Sequence, residues 1–469
     1  MKIPRALTIA GSDSGGGAGI QADLKTFAAL GVHGMSAITS ITAQNTVEVT
    51  MIHDVPIEMI REQIRVTVRD IGVDAVKTGM LHTEEIVKAV ASELGKLNAP
   101  IVVDPVMIAK SGAPLLEKEA MKALMEDLIP MAYVLTPNAR EAEALSGVKI
   151  KDLSSQKQAA KKISECGVKA VVVKGGHISG SKVIDVLYYD GEFKLYESKR
   201  IQSRNTHGTG CVFASAIAAE LAKGSNVFEA VRAAKSFVED AIRNGLPIGE
   251  GHGPVNPTGK VIKNADRFNV LKTMRDAVER LERSELIAGA IPECQSNLVM
   301  ACEFADDVED VAAIPGRIVK LWNRAKASAS PWFGASSHVA RAVLKTMTYD
   351  RKIRSAINIK FDQAFIEAAE KLGWRISFYD RKMEPAEVKE LEGGTIPWGI
   401  ESAIKRAGGK IPDVIYHKGD WGKEPMILIF GRDAVEVVGK VERLLSETAR
   451  SGCYEVDRKG RRPSREERG

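Results

Sequence analysis

Six short β-branched runs in the first half of this chain alternate with longer helix-like stretches, and that alternation leaves few folds open. The runs are Ala6 to Ala10, Ala75 to Lys77, Ile101 to Val103, Tyr133 to Leu135, Ala170 to Val173 and Val183 to Tyr188. Short apolar strands separated by helical patterns form crossover units on a mostly parallel sheet, so a three-layer α/β/α domain is expected. Five of the runs end in polar or Gly-rich turns: Gly11-Ser12-Asp13, Thr78-Gly79-Met80, Asp104-Pro105-Val106, Thr136-Pro137-Asn138 and Lys174-Gly175-Gly176-His177. In open α/β sheets that edge is where ligands bind.

At 469 residues the chain exceeds what one core usually supports. A break is expected at the Gly- and Pro-rich stretch from Gly251 to Gly259. The reading is a domain over 1–256, a linker over 257–265, a second domain over 266–450 and a charged, disordered tail over 451–469. The second domain opens on a helix from about Asp266 to Glu282 with Phe268, Leu271, Met274, Val278 and Leu281 on its apolar face. Strand-like runs follow at Leu298 to Cys302, Ile357 to Ile359, Ile376 to Tyr379, Val414 to Tyr416 and Met426 to Phe430. Helical patterns between them make this half α/β as well.

Composition excludes several classes. An apolar share of 44% with 27% charged residues is that of a globular protein, and no apolar run approaches a bilayer span. A net charge of +5, dispersed along the chain, implies neither nucleic acid nor a membrane surface. Cys166, Cys211, Cys294, Cys302 and Cys453 are scattered without a Cys-x-x-Cys pair, which suggests neither a disulfide framework nor a zinc site. With no signal-like start, a cytoplasmic location is expected.

The most chemical segment is Asn205-Thr206-His207-Gly208-Thr209-Gly210-Cys211, which runs directly into a helix-like stretch. Gly208 and Gly210 allow close backbone approach to an anion, and the helix N-terminus supplies N–H groups and a favourable dipole. A thiol at such a position can be shifted well down, so Cys211 is a candidate proton acceptor. The Gly-rich run from Ser12 to Asp23 has neither dinucleotide-binding spacing nor a Walker A loop, and reads as a flexible cover over a small polar ligand.

Together these segments resemble the hydroxymethylpyrimidine and phosphomethylpyrimidine kinases of thiamine biosynthesis, in the ribokinase-like superfamily, over about residues 4–256. The carriers are the run from Ala10 to Asp23, Ala43-Gln44-Asn45-Thr46, Lys77-Thr78-Gly79-Met80-Leu81, Asp104-Pro105-Val106-Met107, Thr136-Pro137-Asn138, Lys174-Gly175-Gly176-His177 and the loop ending at Cys211. The resemblance implies ATP-dependent phosphorylation of an aminopyrimidine alcohol and then of its monophosphate, with Mg2+. It places Gly11, Asp23, Gln44 and Val106 at the pyrimidine and Gly208, Gly210 and Cys211 at the transferred phosphoryl group. Lys174, Asn138 and Thr209 fall to ATP, and Asp104 and Glu141 to magnesium. Asn138 and Glu141 also have capping-box spacing, and both roles can coexist. A pyridoxal kinase is the less favoured alternative.

In the second half, Ile314-Pro315-Gly316-Arg317 sets an arginine after a Gly turn, and Gly334-Ala335-Ser336-Ser337-His338 places hydroxyls before a helix. With Asn358-Ile359-Lys360, Pro412 to Tyr416 and Gly419 to Pro425, they resemble the thiamine-phosphate synthase domain found fused behind the pyrimidine kinase in archaea and some bacteria. That resemblance implies an α/β/α sandwich with a mixed sheet and catalytic roles for Arg317 and His338, with Ser336, Ser337 and Lys423 as phosphate candidates. The implied reaction joins hydroxymethylpyrimidine diphosphate to thiazole phosphate. The alternative is a domain that senses thiamine phosphates without turnover. A homodimer is expected, since dimers are common in both families.

Overall fold

The computed structural model describes residues 2–451, except 111 and 179. It divides into two compact units, Met1–Lys260 and Val261–Gly469. The expected linker is not extended throughout, because one helix runs from Gly259 to Arg283. The charged tail lies outside the described residues beyond Ser451.

The described residues of the first unit form nine strands. They are β1 (Arg5–Asp13), β2 (His33–Gln44), β3 (Val49–Asp54), β4 (Ala75–Thr78), β5 (Ile101–Val103), β6 (Val134–Leu135), β7 (Ala170–Val173), β8 (Lys182–Tyr189) and β9 (Glu192–Lys199). Their order is β3-β2-β1-β4-β5-β6-β7-β8-β9. The run from β2 to β7 is parallel, and β3, β8 and β9 add antiparallel edges. Strand residues alternate between two cores, as the period-2 geometry requires. Leu7, Ile9, Val76, Val103 and Leu135 face one core, while Ala6, Ala75, Val102 and Val134 face the other.

Eight helices cover the two faces: α1 (Gly19–Ala29), α2 (Ile57–Asp70), α3 (Glu84–Leu94), α4 (Lys118–Ala123), α5 (Ala139–Ser146), α6 (Leu153–Ser164), α7 (Thr209–Ala222) and α8 (Val227–Arg243). Helices α1, α7 and α8 pack on one face, and α2 to α6 on the other. Nine residues of α7 are buried, from Val212 to Leu221, so this helix is apolar nearly all round and lies deep in the unit. Its N-terminus is thereby fixed to the sheet.

The second unit is a mixed seven-stranded sheet. Its strands are β10 (Leu298–Ala301), β11 (Val311–Ala313), β14 (Trp332–Phe333), β15 (Ser355–Lys360), β16 (Ile376–Phe378), β17 (Val414–His417) and β18 (Met426–Gly431), with a separate hairpin of β12 (Ile318–Leu321) and β13 (Arg324–Ala327). The order is β14-β11-β10-β15-β18-β17-β16, and β16 with β17 is its one parallel pair. Helices α9 (Gly259–Arg283), α11 (Gln363–Lys371) and α14 (Ala434–Arg450) cover one face; α10 (His338–Met347) and α13 (Thr395–Arg406) cover the other, and a short α12 (Ala386–Glu390) precedes α13. Phe268 is the exception to the expected α9 stripe. It is 75% exposed, while Met274 and Leu281 are fully buried, because the stripe begins only where the helix meets the sheet.

Candidate functional site

A cavity of about 760 Å³ opens along the carboxyl ends of β1, β4, β5, β6 and β7 in the first unit. Its wall includes Gly11, Gln44, Val106, Asp104, Asn138, Glu141 and Lys174, together with Gly208, Thr209, Gly210 and Cys211. Five strand-end turns and the start of α7 thus converge, as the polar strand ends implied. Gly208 has φ 82°, and a Cβ there would stand 1.9 Å from the Gly17 carbonyl oxygen, so only glycine lets the two loops meet. A Cβ on Gly210 would come within 3.4 Å of the Lys174 ammonium. No side chain caps α7, which leaves its first-turn amides open to an anion.

Asp23 is placed differently from the expectation. It is fully buried and absent from the cavity wall, where it accepts hydrogen bonds from Thr8 Oγ1 (2.6 Å), Ser215 Oγ (2.6 Å) and Lys77 Nζ (2.8 Å). The ion pair with Lys77 is wholly shielded from water. Removing one partner of such a pair costs about 3–5 kcal/mol, because the other charge is stranded. Asp23 therefore acts beneath the cavity floor, holding the ammonium that lines it. The Lys77 strand end was visible in the sequence, but nothing local told that its partner would be Asp23.

Cys211 also departs from expectation. Burial pushes its thiol up to about 12; Lys77 favours the thiolate, but Asp23 and Asp104 oppose it. The helix N-terminus does not outweigh desolvation, so the sulfur carries its proton in the substrate-free protein. Lys77 in turn stays charged: burial would lower it, but Asp23 above all, with Asp104 adding, offsets this and holds it raised.

His207, which the sequence left without a role, ties the Gly-rich loop to the Cys211 loop. Its Nε2 lies 3.0 Å from Asp13 Oδ2 and 3.2 Å from Gln44 Nε2. Asp13 also accepts from the amides of Gly15, Gly17 and Ala18, and although burial opposes ionisation these bonds and His207 keep its carboxyl lowered. One ring nitrogen cannot donate to Asp13 and accept from Gln44 together. With Asp13 ionised, His207 Nε2 donates to it, while Gln44 Oε1 accepts from Thr42 Oγ1 at 3.3 Å.

Asn138 and Glu141 form the capping box: the Asn138 amide donates to Glu141 Oε2 at 2.7 Å and the Glu141 amide to Asn138 Oδ1 at 3.1 Å. Lys174 donates to Asp104 Oδ1 at 3.2 Å. Burial first, with Asp104 adding, lifts the Glu141 carboxyl to about 7, against the pull of Lys174. Two buried carboxylates in mutual repulsion fit a hydrated divalent cation, which would relieve both and needs few protein ligands. No group of three or more metal-ligating side chains occurs among the described residues.

The raised Glu141 has a consequence for stability. Its contribution is fully present below about 4.5 and is lost as pH rises through about 7. Glu141→Gln can keep the cap and removes this loss. In magnesium-free buffer, thermal melts at pH 5 and pH 8 should therefore show a smaller drop for Glu141→Gln than for the wild type, together with weaker activity at limiting magnesium. An equal drop in both proteins would show that Glu141 is not the group concerned.

In the second unit, Arg317 (φ 68°) follows Gly316, its amide donating to the Ile314 carbonyl at 3.1 Å and its guanidinium donating to the Cys294 carbonyl. Asn297 braces the same turn, donating to Ile314 O (3.1 Å) and accepting from the Ile314 amide (2.9 Å), while its own amide donates to Asn358 Oδ1 (2.7 Å). The carboxylate of Glu424 accepts from the amides of Glu293 and Cys294, both at 2.9 Å, which fastens the loop bearing Lys423 beside the Arg317 turn. His338 opens α10 after Ser336 and Ser337, whose side chains leave the helix uncapped. Burial and then Arg341, Arg317, Lys423 and Arg381 lower its pKa, so it is neutral near pH 7. Arg317, His338 and Lys423 are thus brought together. Arg341 and Arg381 are additions: Arg341 lies one turn along α10 from His338, a spacing readable in retrospect, whereas Arg381 follows β16 with no sequence signal.

Residues 13–256 match the family model described as phosphomethylpyrimidine kinase. The chain belongs to that family. Beyond the kinase-family unit, residues 273–443 match the model described as thiamine-phosphate synthase ThiN, so the chain is a fusion of the two. The hydroxymethylpyrimidine/phosphomethylpyrimidine kinase of Bacillus subtilis is 48% identical over 258 residues, covering 55% of this chain and 95% of that relative. The thiamine biosynthesis bifunctional protein ThiED of Geobacter sulfurreducens is 49% identical over 251 residues, which is 53% of this chain and about half (51%) of that longer relative. Among solved structures, a Bacillus subtilis pyridoxal kinase in an ADP complex matches with a TM-score of 0.53 and 42% identity, covering 56% of this chain and all (100%) of that one. A Staphylococcus aureus pyridoxal kinase with AMP-PCP and pyridoxal gives 0.51 and 39%, covering 55% and 94%. No helix among the described residues is long and apolar enough to cross a membrane.

Proposed function

We propose that the kinase-family unit phosphorylates 4-amino-5-hydroxymethyl-2-methylpyrimidine twice at the expense of ATP, and that the second unit joins the diphosphate to thiazole phosphate, giving thiamine phosphate. The observation that carries the kinase half is the uncapped start of α7, with Cys211 in its first turn, facing Lys174 and Asp104 in one cavity. Gly11, Gln44 and Val106 hold the ring. The amides of Gly208 to Cys211 meet the charge that builds on the transferred group, which is most of what phosphoryl transfer asks of a protein. Lys174 and Thr209 serve the ATP phosphates. Asp104 and Glu141 would hold Mg2+ through water, and that ion would neutralise phosphate charge.

Cys211 takes the hydroxymethyl proton. Its raised pKa makes the reactive thiolate scarce at neutral pH and strongly basic once formed, and the Lys77 ammonium stabilises it. In the second step the nucleophile is a phosphate that is already ionised, so no base is required. In the other unit, loss of diphosphate leaves a cationic pyrimidine methylene, and Arg317, Lys423, Arg341 and Arg381 stabilise the leaving group while neutral His338 adds an N–H or an acceptor. The protein works in the cytoplasm as a homodimer.

Supplying the full chain with the pyrimidine diphosphate and thiazole phosphate, without ATP, tests the second half: thiamine phosphate is the expected product, and its absence favours the sensing alternative. The pyridoxal kinases among the structural neighbours make pyridoxal the competing alcohol, and a competition assay should show preference for the pyrimidine.

A further inference from the structure

The wall of the kinase cavity holds a buried carboxylate, Asp185, which is 5% exposed. Burying an ionised carboxylate is costly unless its oxygens are answered, and here each oxygen has a different partner. Oδ1 accepts from the Gly175 amide at 2.8 Å, and Oδ2 accepts from Lys235 Nζ at 2.9 Å. The Lys235 side chain is itself largely shielded from water.

The strand register explains the placement. β7 ends at Val173 opposite Val186 of β8, so Asp185 lies beside the first residue past the strand end, Lys174. Alternation along β8 puts Asp185 on the face of Leu187, which packs with α7 and α8, and Lys235 of α8 meets it there. The turn that Asp185 grips, Lys174-Gly175-Gly176-His177, has little freedom. A Cβ on Gly175 would stand 2.0 Å from the Ile184 carbonyl oxygen, so the turn is pressed against β8. The Lys174 amide donates to Pro137 O at 2.9 Å, the Ile178 amide to Gly175 O at 3.0 Å and Arg200 Nη1 to Gly176 O at 2.8 Å. From this turn the Lys174 side chain reaches Asp104 and the start of α7.

We infer that Asp185 is a positioning residue for phosphoryl transfer: its carboxylate fixes the backbone beneath Lys174, and Lys235 holds that carboxylate from α8. The inference rests on the reading of Lys174 as a ligand of the ATP phosphates. A long, flexible lysine on a loose backbone would spread its ammonium widely, and phosphoryl transfer tolerates little misplacement. Aspartate suits the task because two acceptor oxygens on one short side chain answer an amide and an ammonium together. Lys235, Val238 and Glu239 of α8 line the same cavity. The phosphate turn and α8 are thus tied to each other through one carboxylate.

The test compares two full-length double variants, Asp185→Asn/Lys235→Met and Asp185→Ala/Lys235→Met. Neither leaves a buried charge without its partner, and they differ in whether an oxygen remains for the Gly175 amide. With hydroxymethylpyrimidine as substrate, the alanine pair should show kcat/KM for ATP about 10- to 100-fold below the asparagine pair, the loss expected when a buried donor is stranded. That loss should include a rise in KM for ATP, which a smaller folded fraction would not produce, while KM for the pyrimidine agrees within about twofold between the pairs. Equal kcat/KM for ATP in the two pairs, a loss confined to kcat, or a matching rise in the pyrimidine KM would overturn the inference. Lys174→Met, assayed alongside, separates this from the reading beneath it. A raised KM for ATP in Lys174→Met with no difference between the pairs sinks the role of Asp185 alone; unchanged kcat and KM for ATP in Lys174→Met sink both.

Discussion

Cys211→Ala is expected to slow phosphorylation of the pyrimidine alcohol by roughly 10² to 10⁴, the range of a lost general base, while the second phosphorylation falls by no more than about tenfold. The two steps differ in what the nucleophile needs. The alcohol must lose a proton, whereas the monophosphate has done so near neutrality. Because burial holds the thiol up to about 12, the first step should also show a distinct pH dependence. Its kcat/KM should climb about tenfold per pH unit from 7 towards 10, since that parameter follows ionisation of the free enzyme. The second step should be flat over the same interval, and Cys211→Ala should flatten the first. Rates measured separately for the two substrates across that pH range decide the matter: equal losses in both steps would rule out a base at position 211, and a plateau near pH 7 would show that its thiol is not raised.

Arg317→Ala is expected to lower thiamine phosphate formation by about 10² to 10³, the usual loss when one preorganised donor to developing charge is removed. Kinase turnover should be unaffected. Arg317→Lys should recover only part, because the guanidinium is anchored to the Cys294 carbonyl and an ammonium lacks the fork of donors that grips a diphosphate. Product formation and ADP release followed in the same reaction separate the two activities. A loss in both would mean that the substitution damages the protein as a whole.

The strand ends were the most legible part of the sequence, since β-branched runs closing on Gly, Asp and Asn turns located the cavity edge before any coordinates. Three other strands of that sheet were not. β2, β3 and β9 escaped because Thr, Ser, Lys and Glu interrupt their apolar pattern, and β9 alternates a largely exposed face. Long-range polar pairs were equally hidden. Asp23 looked like a ligand group, yet Lys77, 54 positions along the chain, claims it. Cys211 shows the limit of reading a helix N-terminus alone: the dipole was visible in the sequence, but the desolvation that outweighs it depends on how deeply α7 is packed.

The central claim is that one chain carries the pyrimidine from free alcohol to thiamine phosphate. The full-length protein should be given hydroxymethylpyrimidine, ATP, Mg2+ and thiazole phosphate, and ADP and thiamine phosphate quantified together. Two ADP released for each thiamine phosphate formed is the expected result. ADP stopping at one per pyrimidine, or pyrimidine diphosphate accumulating with no thiamine phosphate, would contradict it.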